Sequence, residues 1–295
     1  GLPLGGSTGS AAGAPGVSTL AIAATALLAD EADLLLAVSY DPISEFAFAG
    51  FTCLRLVSEG PLRPFTEDRT GMRLGEGYGV FIVERAKDAK ARGATPLARI
   101  LGWGGASDAH HLTQPAPDGR GAARAIREAT RALEDPPRFP DLVAAHATST
   151  PANDAAEYAA LSSAFGSGLP GIPVTALKSR IGHTLGAAGA VELAVVIAAM
   201  EESRIPAAAN AETDRASFPD LDLLHGDGRA GSVERAAVVS LGFGGADAAI
   251  LVEAGSVSEP TSPCLPGRAV GGSETEVEEV VISGCGVLAP TADQP

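Results

Sequence analysis

The sequence predicts an α/β fold in which helices cover a layered sheet. Short apolar segments alternate with Ala-rich segments of helical length, and this alternation is typical of strands and helices packed in layers. The chain has 295 residues, of which 45% are hydrophobic but only 4% are aromatic. It can therefore bury a large core in which small side chains pack closely.

The first four predicted elements are a helix, two strands and a second helix. Residues 17–29 (VSTLAIAATALLA) form a small-residue run of helical length, and the apolar strand Asp33–Val38 follows. A Gly-rich turn that begins at Gly71 leads into the strand Gly79–Glu84, and the helix Lys87–Arg92 closes this unit.

The next predicted elements are a strand, a helix and a strand. Strand Pro96–Leu101 precedes an irregular stretch, 102–119, whose Gly, Pro, His and Asp residues suit turns. Helix Gly121–Leu133 has its apolar residues at helical spacing along one face. Strand Leu142–Ala145 then leads directly into a polar loop.

The remaining elements follow in the same alternation. Asn153 or Asp154 is the predicted cap of a helix that continues to Phe165. The short strand Pro173–Ala176 precedes a second polar loop, and helix Gly189–Glu202 follows it. Two strands around the sequence LGFGGAD end the series: Ala236–Ser240 and Ala246–Glu253.

The two ends of the chain depart from this pattern. Residues 255–279 have the Pro, Ser, Gly and Glu composition of a linker. Residues 280–290 form a further apolar strand with a Gly turn, which we interpret as a docking tail or as the first strand of another domain. Because the chain opens within a Gly/Ser loop and without Met, we expect a truncated N-terminus.

The charge balance argues against a nucleic-acid partner. The formal net charge is −15, whereas phosphate binding requires clustered Lys and Arg. An acidic carrier protein would need a local basic patch, and a scattered solvated surface is the alternative. The candidate residues for such a patch are Arg55, Arg63, Arg69 and Arg73.

The cysteines and the apolar runs exclude several further classes. Cys53, Cys264 and Cys285 have neither metal-site spacing nor a paired framework, so we expect no bound metal and a cytoplasmic location. No apolar run has the length of a membrane span. The Ala-rich stretch Gly186–Met200 is too short and contains Glu192, so no membrane association is expected.

Two histidines in polar loops form the candidate site. His146 begins HATSTPANDAAE (146–157), and His183 lies in KSRIGHTLGAAG (178–189). A neutral imidazole has one donor and one acceptor, so two converging imidazoles can hold a carbonyl oxygen while negative charge builds up on it. That chemistry suits an enolate at a thioester. One isolated His would more simply satisfy a backbone group in a buried turn, but two such loops favour function.

These motifs resemble those of the β-ketoacyl-acyl-carrier-protein synthases, or ketosynthases, of the thiolase superfamily. HATSTPANDAAE, KSRIGHTLGAAG and LGFGGADAA carry the resemblance, and RPFTEDRTGMRLGEGYGVFIVE (63–84) supports it. The family fold implies a thiolase-like layered fold, with its second half complete and its first half partial. The implied divisions are a first half at 1–96, a second half at 97–254, a linker at 255–279, and the first strand of a possible following ketosynthase domain at 280–295.

The resemblance implies catalytic roles for four residues. His146 and His183 would stabilise the enolate oxygen during decarboxylation. Lys178 would organise the pocket and keep the imidazoles neutral. Glu157 matches the family's acid that pairs with this Lys, and a solvent-facing helix Glu is the alternative.

The resemblance also implies substrate contacts. Thr148 and Thr150 match hydroxyls that meet a phosphopantetheine arm, although helix capping would also explain one of them. Phe243 matches the gating ring of the acyl pocket, and a core Phe is the alternative. Ala147 stands where the family usually has Gly.

The family's nucleophilic Cys is missing from the corresponding turn. Alignment back from Glu31 without gaps places Gly13 at that position, whereas matching TGSAAG by appearance places Ser10 there. A Ser would need a strong adjacent base to attack a thioester, and Gly cannot attack. Family members without the Cys include chain-length factors and decarboxylating domains.

We therefore expect a Cys-less ketosynthase-family domain that acts on malonyl and acyl thioesters in fatty-acid or polyketide synthesis. Decarboxylation or chain-length control is favoured. The alternatives are a full 3-oxoacyl-carrier-protein synthase and a non-catalytic structural partner of an active ketosynthase; a thiolase-like coenzyme A enzyme is disfavoured because its motifs are absent. The expected partners are an acyl carrier protein, which brings its own phosphopantetheine, and a homo- or heterodimeric ketosynthase. No bound cofactor is expected.

Overall fold

Helices cover both faces of a mixed sheet in the computed structural model of the chain. The structure describes residues 14–134, 138–210, 217–218, 220–255 and 278–288. The α-helices are α1 (Pro15–Leu28), α2 (Glu45–Cys53), α3 (Ala86–Ala91), α4 (Arg120–Ala129), α5 (Pro151–Phe165), α6 (Lys178–Ile181) and α7 (Ala188–Glu202). The strands are β1 (Leu34–Asp41), β2 (Gly77–Arg85), β3 (Ala98–Ser107), β4 (Leu142–Ala144), β5 (Val174–Thr175), β6 (Arg204–Ile205), β7 (Arg229–Ala230), β8 (Arg235–Gly242), β9 (Ala246–Ala254) and β10 (Val280–Leu288).

The main sheet has eight strands in the order β1-β2-β10-β3-β9-β8-β4-β5. In this spatial order, each pair of neighbouring strands from β1 as far as β8 is antiparallel. Strand β4 pairs in parallel with both of its neighbours, β8 and β5. Strands β6 and β7 form a separate antiparallel pair. This arrangement confirms the predicted layered α/β class, and it brings the ends of β4 and β5 to the same edge of the sheet.

Alternating side chains along the central strands supply the two cores. On β9, Ile250 points into the core that α1 and α7 cover. The next residue, Leu251, points into the core on the opposite face, which α4 and α5 cover. Because strand side chains alternate between faces, a nearly continuous apolar strand is the expected sequence of a sheet that is buried on both sides.

Three local features differ from the predictions. Strand β3 continues to Ser107, so residues 102–107 are not irregular. A Cβ at Gly104 would lie 2.1 Å from the Ala125 carbonyl oxygen, so the glycines of this segment permit close packing by α4 rather than a turn. Helix α2 was not predicted, and α5 is capped by Thr150 rather than by Asn153 or Asp154.

Strand β10 lies inside this sheet. Val280, Val281 and Ile282 are buried and pair with β2 and β3, whereas the residues from Gly284 onward pair with β2 alone. Gly255 N–H donates to the Leu97 carbonyl, and Leu97 N–H donates to the Ile282 carbonyl. Gly255 and Ile282 are therefore both hydrogen-bonded to Leu97, so the chain segments on either side of residues 256–277 lie close together. The predicted domain divisions stay a prediction. None of the helices in the described ranges is long and apolar enough to cross a membrane.

A glycine contact fixes α1 against α7. A Cβ added at Gly16 would lie 2.5 Å from the backbone nitrogen of Ala190. We expect Gly16→Ala to lower the free energy of unfolding by about 1–3 kcal/mol, because the two helix backbones would have to separate. Urea unfolding measures the effect. Gly50→Ala is the matched control, since nothing lies within 4 Å of a Cβ there; a stability loss equal to that of Gly16→Ala would contradict the packing argument.

Candidate active site

The two predicted histidines line one cavity. His146 follows β4, and His183 follows α6. The cavity has a volume of about 330 Å³. The ring centroids of His146 and His183 are 5.2 Å apart, and the ring planes are nearly perpendicular at 86°. The structure thus brings together two residues that are separated in the sequence by two α-helices and a strand, α5, β5 and α6.

The proton on His183 is placed by its neighbours. Its Nδ1 accepts the Leu185 N–H at 3.2 Å, so a neutral ring carries its proton on Nε2 and can donate from that atom. For His146, Nδ1 is buried and receives no hydrogen bond from the described part of the chain. Both imidazoles are therefore available to an oxygen that enters the cavity.

The backbone of His183 is held on both sides by the segment before β2. His183 N–H donates to the Arg73 carbonyl at 2.7 Å, and Gly75 N–H donates to the His183 carbonyl at 3.0 Å. A Cβ at Gly75 would lie 2.3 Å from the Ile181 carbonyl oxygen. This close approach requires glycine, which explains the Gly-rich turn before β2.

Glu157 holds the loop that carries His146. Its Oε1 accepts the His146 N–H at 2.6 Å, and its Oε2 accepts the Ala147 N–H at 2.7 Å. The side chain is fully buried, so the solvent-facing alternative is wrong. Ala147 has φ +40° and Ser149 has φ +65°, a left-handed backbone that favours glycine and that the carboxylate helps to maintain.

Lys178 forms its ion pair with Glu192. The Lys178 Nζ lies 2.6 Å from the Glu192 Oε1, and both side chains are only 1% exposed. The predicted pairing of Lys178 with Glu157 is therefore wrong at the level of direct contact. Glu192 was noticed only as a charge within an apolar helix. A Glu in such a helix is buried only when it is paired, so its position is the signal in the sequence that a buried basic partner exists.

Burial and the Lys178 charge control protonation in the cavity. Burial, followed by the Lys178 ammonium, lowers the pKa of both His146 and His183 well below its ordinary value. Both rings are therefore neutral near pH 7. Burial raises the pKa of Glu157 to about 7 and the pKa of Glu192 to about 7.

Three predicted substrate contacts also line the cavity: Thr148, Thr150 and Phe243. The hydroxyls of Thr148 and Thr150 are 3.0 Å apart, and Thr150 also accepts the Asn153 N–H as the cap of α5. The Phe243 ring lies 5.6 Å from the ring of Phe51. Gly244 and Gly245, with φ +77° and +72°, allow the backbone after Phe243 to turn sharply.

Asp154 connects two of the motifs, which the sequence analysis missed. Its Oδ2 accepts the Phe65 N–H at 2.8 Å, and its Oδ1 accepts the Ser149 N–H at 3.1 Å. Burial raises the pKa of this carboxyl to about 6, against the opposing effect of the Phe65 N–H. The segment 63–84 is thus tied to the His146 loop.

The candidate nucleophile positions, Ser10 and Gly13, lie outside the described residues, as does Cys264. Cys53 and Cys285 are free and exposed. Among the residues lining the cavity, the described part of the chain contributes no cysteine. It also holds no group of three or more His, Cys, Asp or Glu side chains arranged for a metal ion.

Two family models match the chain. The model for the C-terminal domain of β-ketoacyl synthase matches residues 97–212, and the model for the N-terminal domain matches residues 7–89. A 3-oxoacyl-[acyl-carrier-protein] synthase 2 of Synechocystis is 40% identical over 69% of this chain and 50% of the relative. The same-named protein of Staphylococcus aureus is 36% identical over 71% of this chain and 53% of the relative. The chain spans about half the length of these curated relatives.

Solved structures agree with these matches. The ishigamide ketosynthase/chain length factor superposes with a TM-score of 0.75 at 31% identity, covering 82% of this chain and 59% of that one. A ketosynthase structure with its type II acyl-carrier protein, bound to a hexaketide, gives a TM-score of 0.75 at 30% identity, covering 82% of this chain and 62% of that one. The layered fold therefore has counterparts in both solved structures.

Proposed function

Since the chain belongs to the β-ketoacyl synthase family, we propose that it decarboxylates a malonyl group carried as a thioester on an acyl carrier protein. The observation that supports this proposal is the pair of neutral imidazoles, His146 and His183, facing one cavity. Burial, followed by the nearby Lys178 charge, lowers the pKa of both rings and keeps them unprotonated.

The proposed chemistry needs only groups of the chain, the substrate and a proton from water. The bond between the malonyl carboxylate and its α-carbon breaks, and its electron pair moves into the thioester as an enolate. His183 donates from Nε2 to the enolate oxygen, and His146 lies across the same cavity as the second imidazole. Carbon dioxide leaves, and a proton from water adds to the α-carbon in place of the lost carboxylate, which gives an acetyl thioester.

The phosphopantetheine arm of the carrier is the proposed ligand of the cavity. Thr148 and Thr150 offer hydroxyls on its wall, and such groups suit the amides of the arm. Phe243 would gate the acyl side. No other cofactor is needed for this step.

An acidic carrier would dock beside the cavity on exposed arginines. Arg55 and Arg73 are exposed, and each is adjacent in sequence to a cavity-lining residue, Leu56 or Met72. These charges favour an acidic partner locally although the whole chain is acidic. The other candidates are engaged within the chain: Arg63 with Asp68, and Arg69 with Thr66 and Ser217.

The proposal is tested with malonyl thioesters labelled at the free carboxylate, attached either to pantetheine or to a carrier protein. We expect labelled carbon dioxide and an acetyl thioester from both. A parallel incubation with an acyl-carrier labelled in the acyl chain tests the alternative of a full condensing synthase. Label that remains covalently on the protein, or a 3-oxoacyl product, would favour that alternative.

The second candidate is a non-catalytic partner of an active ketosynthase, and an exposed apolar surface favours it. Strand β1 is an edge of the sheet, and its outward residues, Leu34, Leu36, Val38 and Tyr40, are all exposed. Helix α2 has no buried residue, and Phe46 is 91% exposed. A bare edge beside a large apolar patch is typical of an interface. We propose that a second ketosynthase-family chain covers it.

This interface predicts the oligomeric state. We expect the wild-type chain, alone or with a ketosynthase, to sediment as a dimer, and Leu36→Glu to shift it to monomer because a charge would be buried in the interface. Lys90→Glu on exposed α3 is the control. A monomeric wild type under both conditions would contradict the interface.

A cytoplasmic setting is proposed from the two exposed free thiols, Cys53 and Cys285, because oxidising compartments favour paired cysteines.

A further inference from the structure

The cavity that the two histidines line also has two aspartates in its wall. Asp247 belongs to β9, where it lies between Ala106 of β3 and Leu241 of β8. Asp247 lines the same cavity as His146 and His183 and is 7% exposed. Asp108, after β3, lines the cavity beside it and is also buried.

The hydrogen bonds of these two carboxyls differ. Asp108 is satisfied, since its Oδ1 accepts the His110 N–H at 3.0 Å and its Oδ2 accepts the Ala116 N–H at 2.7 Å. No hydrogen bond from the described residues reaches the Asp247 carboxyl, although it packs against α4, where a Cβ at Gly121 would lie 2.2 Å from its Oδ2. An acceptor that lines a cavity and has no partner within the described residues takes its donor from the cavity, either water or a bound ligand.

The charges around Asp247 do not neutralise it. Asp108 is the like charge, and Arg124 on α4 is the opposing one. Arg124 is exposed, and its guanidinium donates to the Ser107 carbonyl at 3.3 Å, so water screens its attraction. Burial, and then Asp108, raise the pKa of Asp247 to about 7. Above that pH the wall carries negative charge that faces the cavity.

We propose that Asp247 binds a hydrogen-bond donor on the acyl chain, so that the cavity selects chains bearing a hydroxyl or an ammonium over fully reduced hydrocarbon chains. This inference rests on the proposed function, because it assumes that a pantetheine thioester enters the cavity. It adds a substrate class to that function. The apolar lining beside Asp247, which includes Leu241 and Phe243, would surround the chain itself.

The test uses unreactive thioethers of pantetheine whose alkyl chains of increasing length end in methyl, hydroxyl or ammonium groups. Binding is measured by calorimetry at pH 8.5, where the Asp247 carboxylate predominates. At one chain length we expect the hydroxyl or ammonium ligand to bind wild type at least ~10-fold more tightly than the methyl ligand, as one charge-assisted hydrogen bond provides.

Variants distinguish an effect of the Asp247 carboxylate on binding from an effect on folding. Asp247→Leu should abolish the preference, whereas Asp247→Asn, which keeps an oxygen acceptor, should lose the ammonium preference and retain part of the hydroxyl preference. Asp220→Leu, at an exposed position, should leave both unchanged. Circular dichroism checks that each variant is folded.

Two outcomes would overturn the inference. Equal binding of the three chain ends by wild type, or a preference that Asp247→Leu retains, would overturn this inference alone. If pantetheine and every thioether failed to bind, the inference and the proposed function would fall together.

Discussion

Replacing His183 by Ala is expected to reduce carbon dioxide release from malonyl-carrier by about 10²–10³-fold, the usual cost of losing one oxyanion donor. The reason is geometric. Leu185 N–H donates to the Nδ1 of His183, so in a neutral ring the remaining nitrogen, Nε2, carries the proton, and the residue lines the cavity. Steady-state release of labelled carbon dioxide measures the loss, which should appear in kcat rather than in KM because the hydrogen bond strengthens as charge develops.

The controls distinguish chemistry from folding. His225→Ala removes an exposed imidazole and should leave the rate unchanged. His183→Gln keeps an amide donor and should recover part of the lost rate. His146→Ala should also be slow, and the double variant should lose less than the product of the single losses, because the two rings act on one oxygen. Unchanged release from His183→Ala would remove the basis of the proposed mechanism.

The sequence predicts much of this site because its polar groups lie in short motifs. HATSTPANDAAE contains His146 and also Glu157, which lies 11 positions later, in α5. The contacts of Glu157 with the His146 and Ala147 N–H groups stay within that motif. The cavity-lining threonines follow from the same segment. The family resemblance of this one motif therefore assigns all of these groups to the site, and their short separation in the sequence keeps them near one another.

Contacts between distant segments were harder to predict. The partner of Lys178 is Glu192 on the next long helix, and Asp154 binds Phe65, which is 89 positions away. Nothing in the sequence around Lys178 or Asp154 indicates which distant residue each of them contacts. Strand β3 was cut short for a related reason, because its glycines serve the approach of α4 and a glycine-rich strand looks like a turn in isolation.

The pairing of strand β10 was hard to predict for the same reason, since its partner strands are distant in the sequence. Its apolar sequence correctly predicts a strand, but its partner residues lie 180–184 positions earlier on β3 and 195–210 positions earlier on β2. Pairing depends on which edges of the sheet are open, and this is a property of the assembled sheet.

The largest expected stability effect concerns the buried pair of Lys178 and Glu192. Glu192→Leu should lower the free energy of unfolding by about 3–5 kcal/mol, because it leaves the buried Lys178 ammonium without its counter-charge. The Nζ–Oε1 distance of 2.6 Å and the 1% exposure of both side chains mean that water cannot replace the lost carboxylate. Urea unfolding at pH 7 measures the change.

Two further variants make the argument specific to the ion pair. Glu192→Gln keeps an oxygen that can accept from Nζ, so it should cost much less than Glu192→Leu. Combining Glu192→Leu with Lys178→Met replaces both charges by apolar groups of similar size and should restore most of the stability, since buried pairs often balance their own desolvation. The double variant should nevertheless decarboxylate more slowly than wild type: burial still lowers the pKa of His146 and His183, but the second cause, the Lys178 ammonium, is gone. If Glu192→Leu stays within ~1 kcal/mol of wild type, the ammonium has another partner, and the pair does not organise the cavity.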